Sequence, residues 1–180
     1  MIELRPAEPS DATGIARVHV DTWRDTYAGM IPDGALLALS PAREAARWRQ
    51  TISEDPAERV IVAVSDIHGV VGFGSCGRHR GENLPFRGEI YTLYVHPNAQ
   101  GRGVGRELLT KLFATLNKRG LRSVLIWVLA SNPAKYFYQA MGGKWIAVRN
   151  ENLFGTMLHE MGYGWRDVRL DDAPKPQPRY

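Results

Sequence analysis

Apolar runs and helical repeats alternate along the central part of this chain. The run Ile90–Val95, rich in β-branched and aromatic residues, is typical of a strand, and Pro97 with Asn98 ends it. Apolar residues then recur every three or four positions over Val104–Arg119, which predicts an amphipathic helix. Val124–Leu129 is apolar on both faces, as expected of a buried parallel strand. Together these segments predict a right-handed βαβ unit.

Shorter patterns predict the remaining elements. Ser10 or Asp11 and Ser40 suit helix N-caps, and Pro41 suits a first helical position. The predicted elements are a strand Ile2–Arg5, a helix from Ser10 or Asp11 to about Tyr27, a helix from Pro41, a hairpin of Val60–Val64 with Val70–Cys76, a short helix within Asn132–Gly143, and an antiparallel pair of Lys144–Arg149 with Thr156–Trp165. We expect residues 1–170 to form one domain and residues 171–180 a proline-rich, extended tail.

The turn Gln100–Gly105, between the central strand and its helix, contains three glycines. A helix N-terminus presents unpaired backbone N–H groups and partial positive charge. Glycines remove the Cβ atoms that would keep an anion away, and Arg102 and Arg106 add charge. The turn therefore predicts a site for a phosphate or pyrophosphate. The alternative is a glycine-rich turn that binds no ligand.

Two common phosphate motifs do not fit this turn. A P-loop needs Gly-Lys-Ser/Thr, whereas Arg106 and Glu107 follow Gly105. The dinucleotide fingerprint needs a third glycine where Arg106 stands. The remaining pattern, Gln-x-x-Gly-x-Gly, resembles the acetyl-CoA-binding motif of the GNAT N-acetyltransferase superfamily. The preceding Glu-Ile-x-x-Leu-Tyr-Val-His-Pro resembles that family's fourth strand, and Asn-x-Ala-x-x-Phe-Tyr from Asn132 resembles a later signature, which departs from the family at Gly143.

The resemblance implies an α/β fold: a mixed, twisted sheet of about seven strands flanked by about four helices, with a splay between strands 4 and 5. Acetyl-CoA would be the co-substrate, and no metal is implied. The pantetheine arm would pair with backbone of Leu93 and Val95, and the Val95 N–H would polarise the thioester carbonyl. The implied cofactor-binding residues are Leu93, Tyr94, Val95, Gln100, Gly101, Arg102, Gly103, Val104, Gly105, Arg106, Asn132, Ala134 and Tyr138.

The same resemblance implies catalytic roles, each with a structural alternative. Tyr138 would protonate the departing thiolate, or it is simply a core aromatic. Glu89 would accept the amine proton, or it is an exposed charge at a strand end. The amide of Asn132 would bind pantetheine, cap a helix, or both. Trp23 and Tyr27 fall where the family covers its substrate.

Other polar residues carry weaker signals. His159 and Glu160 lie on a late strand, where we expect a solvated sheet face rather than an acceptor pocket. The histidines show no metal-ligand spacing. Cys76 is the single cysteine, so no internal disulfide can form, and we expect it to be a small buried residue rather than a nucleophile.

Composition narrows the functional class. The 180 residues are 44% hydrophobic and 23% charged with a net charge of +4, as in an ordinary globular domain that binds an anionic ligand. The basic residues are scattered, which disfavours nucleic-acid binding, and no run suits a signal peptide or membrane span. The resemblance implies an N-acetyltransferase acting on a primary amine of a small molecule or protein, and we expect it to be cytoplasmic. The alternative is a non-catalytic acyl-CoA sensor. A homodimer is also expected from the family, through the final strand.

Overall fold

A seven-stranded mixed sheet forms the centre of the described chain. The structure is a computed structural model that describes residues 1–81, 83–153 and 155–169. The strands are β1 (Ile2–Pro6), β2 (Arg59–Ser65), β3 (Gly69–Arg78), β4 (Gly88–Val95), β5 (Val124–Leu129), β6 (Lys144–Leu153) and β7 (Thr156–Trp165), in the spatial order β1-β2-β3-β4-β5-β7-β6. The pair β4–β5 is parallel and every other pair is antiparallel. The predicted α/β fold is confirmed, while the predicted tail, 171–180, lies outside the described residues.

Five α-helices cover the two faces of the sheet in the described ranges. They are α1 (Ala12–Thr26), α2 (Asp33–Leu37), α3 (Pro41–Glu54), α4 (Val104–Lys118) and α5 (Ala134–Ala140). Helix α4 buries its apolar stripe, including Leu108, Leu112 and Leu116, against one face. Helices α1 and α3 cover the other face, where Ile15 and Trp48 are fully buried. The crossover from β4 through α4 to β5 builds the predicted βαβ unit.

Two sequence expectations differ from the structure. Helix α2 was not predicted, because Gly29 and Pro32 are typical of a break; Pro32 instead precedes the first helical turn, where its missing N–H costs no hydrogen bond. The final strand was expected to offer a sheet edge for a dimer. That expectation was wrong, because β7 pairs with β5 on one side and β6 on the other. The edge belongs to β6, where Trp145 and Val148 are exposed, and dimerisation itself stays a prediction.

Candidate active site

The two parallel central strands separate part-way along their length. Strands β4 and β5 pair only from Gly88 opposite Val124 to Ile90 opposite Ile126, although β4 continues to Val95. A cleft of about 1140 Å³ runs through this gap and along both faces of the opening. The predicted splay is therefore confirmed, and residues from well-separated parts of the chain line one cavity.

The backbone of β4 faces this gap at alternate residues. The N–H of His96 donates to the carbonyl of Val71 on β3, at 2.9 Å. Because backbone groups alternate sides along a strand, those of Leu93 and Val95 point the other way, toward β5. The Gln100 side chain donates from Nε2 to the Val95 carbonyl at 2.9 Å. Gln100 thereby occupies that acceptor and leaves the Val95 N–H directed into the gap.

One end of the cleft, which we call the turn end, is formed by Gln100–Arg106. Gly101 and Gly103 have positive φ angles of 73° and 87°, a conformation that residues with a Cβ rarely adopt. A Cβ built on either glycine would meet no atom within 4 Å, so this surface is open for a ligand. Gly103 immediately precedes α4, whose first N–H groups face the same space. Arg102 and Arg106 line the cleft beside it.

The wall opposite β4 is formed by the start of α5. The side chain of Asn132, one residue before the N-cap Pro133, accepts a hydrogen bond from the Ala134 N–H at 2.9 Å through Oδ1. Its amide nitrogen lies 3.4 Å from the Tyr27 hydroxyl. Tyr138 is 5% exposed and lines the cleft. Burial, reinforced by the neighbouring Tyr27, raises the pKa of Tyr138 well above its ordinary value, so the phenol stays protonated at neutral pH.

The departure from the family signature at Gly143 has a packing cause. A Cβ on Gly143 would lie 2.8 Å from Cζ2 of Trp165 and 2.9 Å from the Tyr138 carbonyl. The Trp165 indole fills this space, donates to the Met141 carbonyl at 2.9 Å and packs edge-on against Phe113. The indole of Trp165, on β7, thus fills the space that a side chain at position 143 would need.

Glu89 is a buried carboxylate at the start of β4, not an exposed strand-end charge. Its Oε2 lies 3.0 Å from Nδ1 of His79 and accepts the Arg80 backbone N–H at 3.0 Å. Since a carboxylate only accepts, Nδ1 of His79 carries a proton. Among the described residues, the polar contact of Oε1 is with the Arg80 guanidinium at 3.7 Å, so it is the oxygen left to accept a further proton.

The opposite end of the cleft, which we call the hairpin end, lies over β5 and the β6–β7 hairpin. Trp127, Arg149 and Glu160 line it from below. Trp23 of α1 and Tyr27, the residue after that helix, line it from above, with their rings edge to face at 5.0 Å. Burial raises the pKa of Tyr27, so that hydroxyl also stays protonated at neutral pH. The hairpin end is thus an aromatic chamber with the Arg149–Glu160 ion pair in its floor.

The cleft contains nearly all the residues that the sequence pointed to. Val104 is the exception, because its side chain lies in the core beneath α4. Sequence reasoning missed Trp127 and Arg149, and it expected Glu160 to be solvated, whereas Glu160 lines the cleft. His159 is exposed as expected and contacts Asn150. The residues that line the cleft as anticipated are Trp23, Tyr27, Glu89, Leu93, Tyr94, Val95, Gln100, Gly101, Arg102, Gly103, Gly105, Arg106, Asn132, Ala134 and Tyr138.

A comparison with known protein families decides the assignment. The acetyltransferase (GNAT) family matches residues 17–143, which include the splay, the glycine turn and α5. This chain belongs to the GNAT family. The predicted family and the predicted enzyme class, an acyltransferase, are both confirmed. The match ends before the β6–β7 hairpin, so Arg149 and Glu160 in the floor of the hairpin end lie outside the matched residues, whereas Trp127 lies within them.

Similar proteins agree with this assignment. An uncharacterized N-acetyltransferase of Bacillus subtilis, YuaI, is 36% identical over 168 residues, covering 93% of this chain and 95% of the relative. A mycothiol acetyltransferase of Actinosynnema mirum is 30% identical over 81% of this chain, but the chain spans only 46% of that relative. The proposed acetyltransferase YncA of Salmonella typhimurium, whose structure contains its cofactor acetyl-CoA, superimposes with a TM-score of 0.65 at 20% identity, covering 98% of both chains.

Two further properties concern the environment of this GNAT domain. None of the helices within the described ranges combines the length and apolar character needed to cross a membrane. The described residues also bring no three potential metal-ligating side chains together.

Burial raises the pKa of the Cys76 thiol to about 12, so this side chain is a protonated core group at neutral pH.

Proposed function

We propose that this protein transfers the acetyl group of acetyl-CoA to a primary amine by direct attack. The observation that carries the proposal is the splay between β4 and β5. It exposes the backbone of Leu93 and Val95 to a cleft that also contains Glu89, Tyr138 and the glycine turn. A cleft with these four features has a place for each part of the reaction.

The turn end has the right chemistry for the phosphates of CoA. The open surface over Gly101 and Gly103 lets a pyrophosphate approach the first backbone N–H groups of α4. Arg102 and Arg106 supply compensating positive charge. From there the pantetheine arm would enter the splay and pair with the exposed edge of β4, as an added strand does. The acetyl-CoA-bound structure of the similar protein YncA supports this cofactor.

The transfer needs one proton acceptor and one proton donor. The amine nitrogen attacks the thioester carbonyl carbon, a C–N bond forms, and the C–S bond breaks. Oε1 of Glu89 accepts the amine proton, directly or through water, and the phenol of Tyr138 donates a proton to the leaving sulfur. The Val95 N–H stabilises the oxyanion between these steps. Cys76, the single cysteine, is a buried neutral thiol, which argues against an acyl-enzyme.

The alternative, an acyl-CoA sensor, would need the turn end but not the proton-transfer groups. The sheltered carboxylate of Glu89 and the protonated phenol of Tyr138, both on the cleft, favour the enzyme. The two functions differ in one observable, turnover.

The test is a panel of primary amines incubated with acetyl-CoA and the purified protein, with release of free thiol as the signal. We expect thiol release that depends on the amine and matches the acetylated amine in amount. A protein that binds CoA but releases no thiol with any amine above the acetyl-CoA background would contradict the proposal and favour the sensor.

A further inference from the structure

The floor of the hairpin end contains an arginine held in a fixed place. Leu129, Glu160 and Arg149 are opposite one another on β5, β7 and β6, so their side chains share the face that lines the cleft. Trp127 is two residues before Leu129 and lies on the same face. Its ring packs closely over Gly162, where a Cβ would come within 3.1 Å. The missing side chain at Gly162 therefore lets the indole lie low on the sheet.

The guanidinium of Arg149 lies over this indole, with its carbon 4.3 Å from the ring centroid. Stacking on an aromatic face restrains the otherwise flexible side chain. Nε donates to Oε2 of Glu160 at 2.5 Å and has a second acidic neighbour, Glu151, at 3.2 Å. The side of the guanidinium is thus occupied by carboxylates, and its orientation is fixed.

The terminal nitrogens of Arg149 are in a different situation. An arginine has five N–H donors, and four of them belong to these two nitrogens. Neither nitrogen has a hydrogen-bond partner among the residues that the structure describes. Arg149 lines the cleft, and its side chain is 41% exposed. A planar pair of N–H donors in a fixed position is the arrangement that binds a carboxylate through two parallel hydrogen bonds.

The carboxylates of the same chamber are already engaged. Glu160 accepts from Arg149, and Glu89 accepts from His79 and the Arg80 backbone. A polyamine acceptor would need further unpaired acidic groups to hold its distal ammonium, and these two provide none. The chamber instead offers the terminal N–H groups of Arg149, which have no hydrogen-bond partner among the described residues, beside apolar surface from Leu153 and Leu158.

We propose that the acceptor is an amine that also carries a carboxylate, such as an amino acid, and that the terminal N–H groups of Arg149 bind this carboxylate. The inference rests on the proposed acetyl transfer and names its acceptor class. The stacked arginine places the carboxylate over Trp127 at the mouth of the splay, so the amine of the same molecule points toward the gap. Arg149 selects the acceptor and takes no part in the proton transfers.

The test uses acids paired with their own amides. L-leucine, L-phenylalanine, 4-aminobutyrate and 6-aminohexanoate are compared with the corresponding carboxamides, and spermidine represents the polyamines. We expect kcat/KM for at least one acid to exceed that of its amide tenfold or more, chiefly through KM. Calorimetric titration of the same acids into the CoA-bound protein gives a readout that does not depend on turnover, and it should show the same preference.

Arg149→Met keeps an apolar stem over Trp127 and removes the guanidinium group with its N–H donors. It should reduce the acid-to-amide ratio to near one in both measurements. The double variant Arg149→Met/Glu160→Gln guards against an effect of the Glu160 carboxylate left without its partner. Arg47→Met is the matched control, because Arg47 also stacks on a tryptophan, Trp48, and pairs with a glutamate, but outside the cleft. It should keep the wild-type ratio.

The outcomes separate the two proposals. Acid-selective binding without thiol release would contradict acetyl transfer but support the acceptor site. Amides or spermidine acetylated as well as the acids, or an unchanged ratio in Arg149→Met, would overturn the role of Arg149 while leaving acetyl transfer in place. Absence of both binding and turnover for every acid would also overturn it.

Discussion

The two ends of the cleft are built in different ways. The turn end comes from one short stretch of chain, Gln100–Arg106, and depends on backbone: two glycines with positive φ and the first N–H groups of a helix. The hairpin end comes from α1, β5, β6 and β7, and it depends on side chains such as Trp127 and Arg149. The difference explains how one fold can keep a common cofactor and change its acceptor. Backbone geometry fixes the binding of the cofactor, and a few side chains decide which acceptor binds.

Tyr138 lies between the two ends, and its replacement should give the largest effect. Tyr138→Phe removes a proton donor and almost no volume, so kcat should fall by ~10²-fold or more. CoA affinity should stay within a few-fold, because the lost interaction is made chiefly in the transition state. The measurement is kcat and KM on an amine from the panel, with thermal stability alongside. A variant that keeps the wild-type kcat would remove Tyr138 from the reaction and make it a core aromatic.

The contact between α1 and α3 should respond to acid. His19 of α1 is buried against Trp48 of α3, and this burial lowers its pKa to about 4 despite the nearby Glu44. The unfolded chain, with a histidine pKa near ~6.5, binds the proton first. Stability from this group is therefore complete above about pH 6.5 and is lost as the pH falls toward 4, by up to ~3 kcal/mol.

Urea unfolding at pH 7 and pH 4.5 measures this loss. His19→Gln should lower stability at pH 7 but lose less than the wild type on acidification, because the variant has no titrating group at this position. Carboxylates elsewhere titrate equally in both proteins and cancel in the comparison. Equal losses in the two proteins would contradict the account of His19.

Gly143 follows α5 and packs against Trp165 of β7. Gly143→Ala places a methyl group 2.8 Å from Trp165 and 2.9 Å from a backbone carbonyl, so the indole must shift. Overpacking of this kind typically costs ~1–3 kcal/mol, which a lower urea midpoint at unchanged slope would show. Gly34→Ala, in open space within α2, is the control and should cost nothing. Equal midpoints for wild type and Gly143→Ala would mean that Trp165 does not fill this space tightly.

The same contrast explains what the sequence could predict. The βαβ unit and the turn Gln100–Gly105 were predictable because each depends on residues close together in the chain. The role of Arg149 in the cleft was not predictable, since its strand shows the alternating polar and apolar pattern that any exposed arginine of a strand would have. Its place over Trp127 depends on the register of β6 with β7, which shifts at an irregularity between Trp145 and Ala147. No local pattern encodes that register.

Glu89 and Gly143 illustrate the intermediate case. The sequence identified both positions. It offered an exposed strand end as the alternative environment of Glu89, and it named no packing partner for Gly143. The burial of Glu89 depends on His79 and Arg80, which lie ten and nine residues earlier in the chain. The side chain that fills the space beside Gly143 is Trp165, on a strand that pairs with β5. Long-range packing decided both environments.

The central claim is that the turn end binds the phosphates of CoA, and two aspartate substitutions at opposite ends of α4 test it most directly. Gly103 and Gly120 both have positive φ, 87° and 71°, and open space around a built Cβ. The backbone strain of an aspartate is therefore similar at both. By the helix dipole alone, the aspartate is better tolerated at position 103, before the N-terminus, than at position 120.

The measurement is calorimetric titration of CoA into wild type, Gly103→Asp and Gly120→Asp, with the fold of each checked by circular dichroism. We predict that Gly103→Asp weakens CoA binding at least tenfold, about 1.4 kcal/mol. The reason is that the aspartate carboxylate takes up space in the phosphate site and repels the negatively charged phosphates of CoA. Gly120→Asp should bind within twofold of wild type. Wild-type affinity in a folded Gly103→Asp would contradict the account.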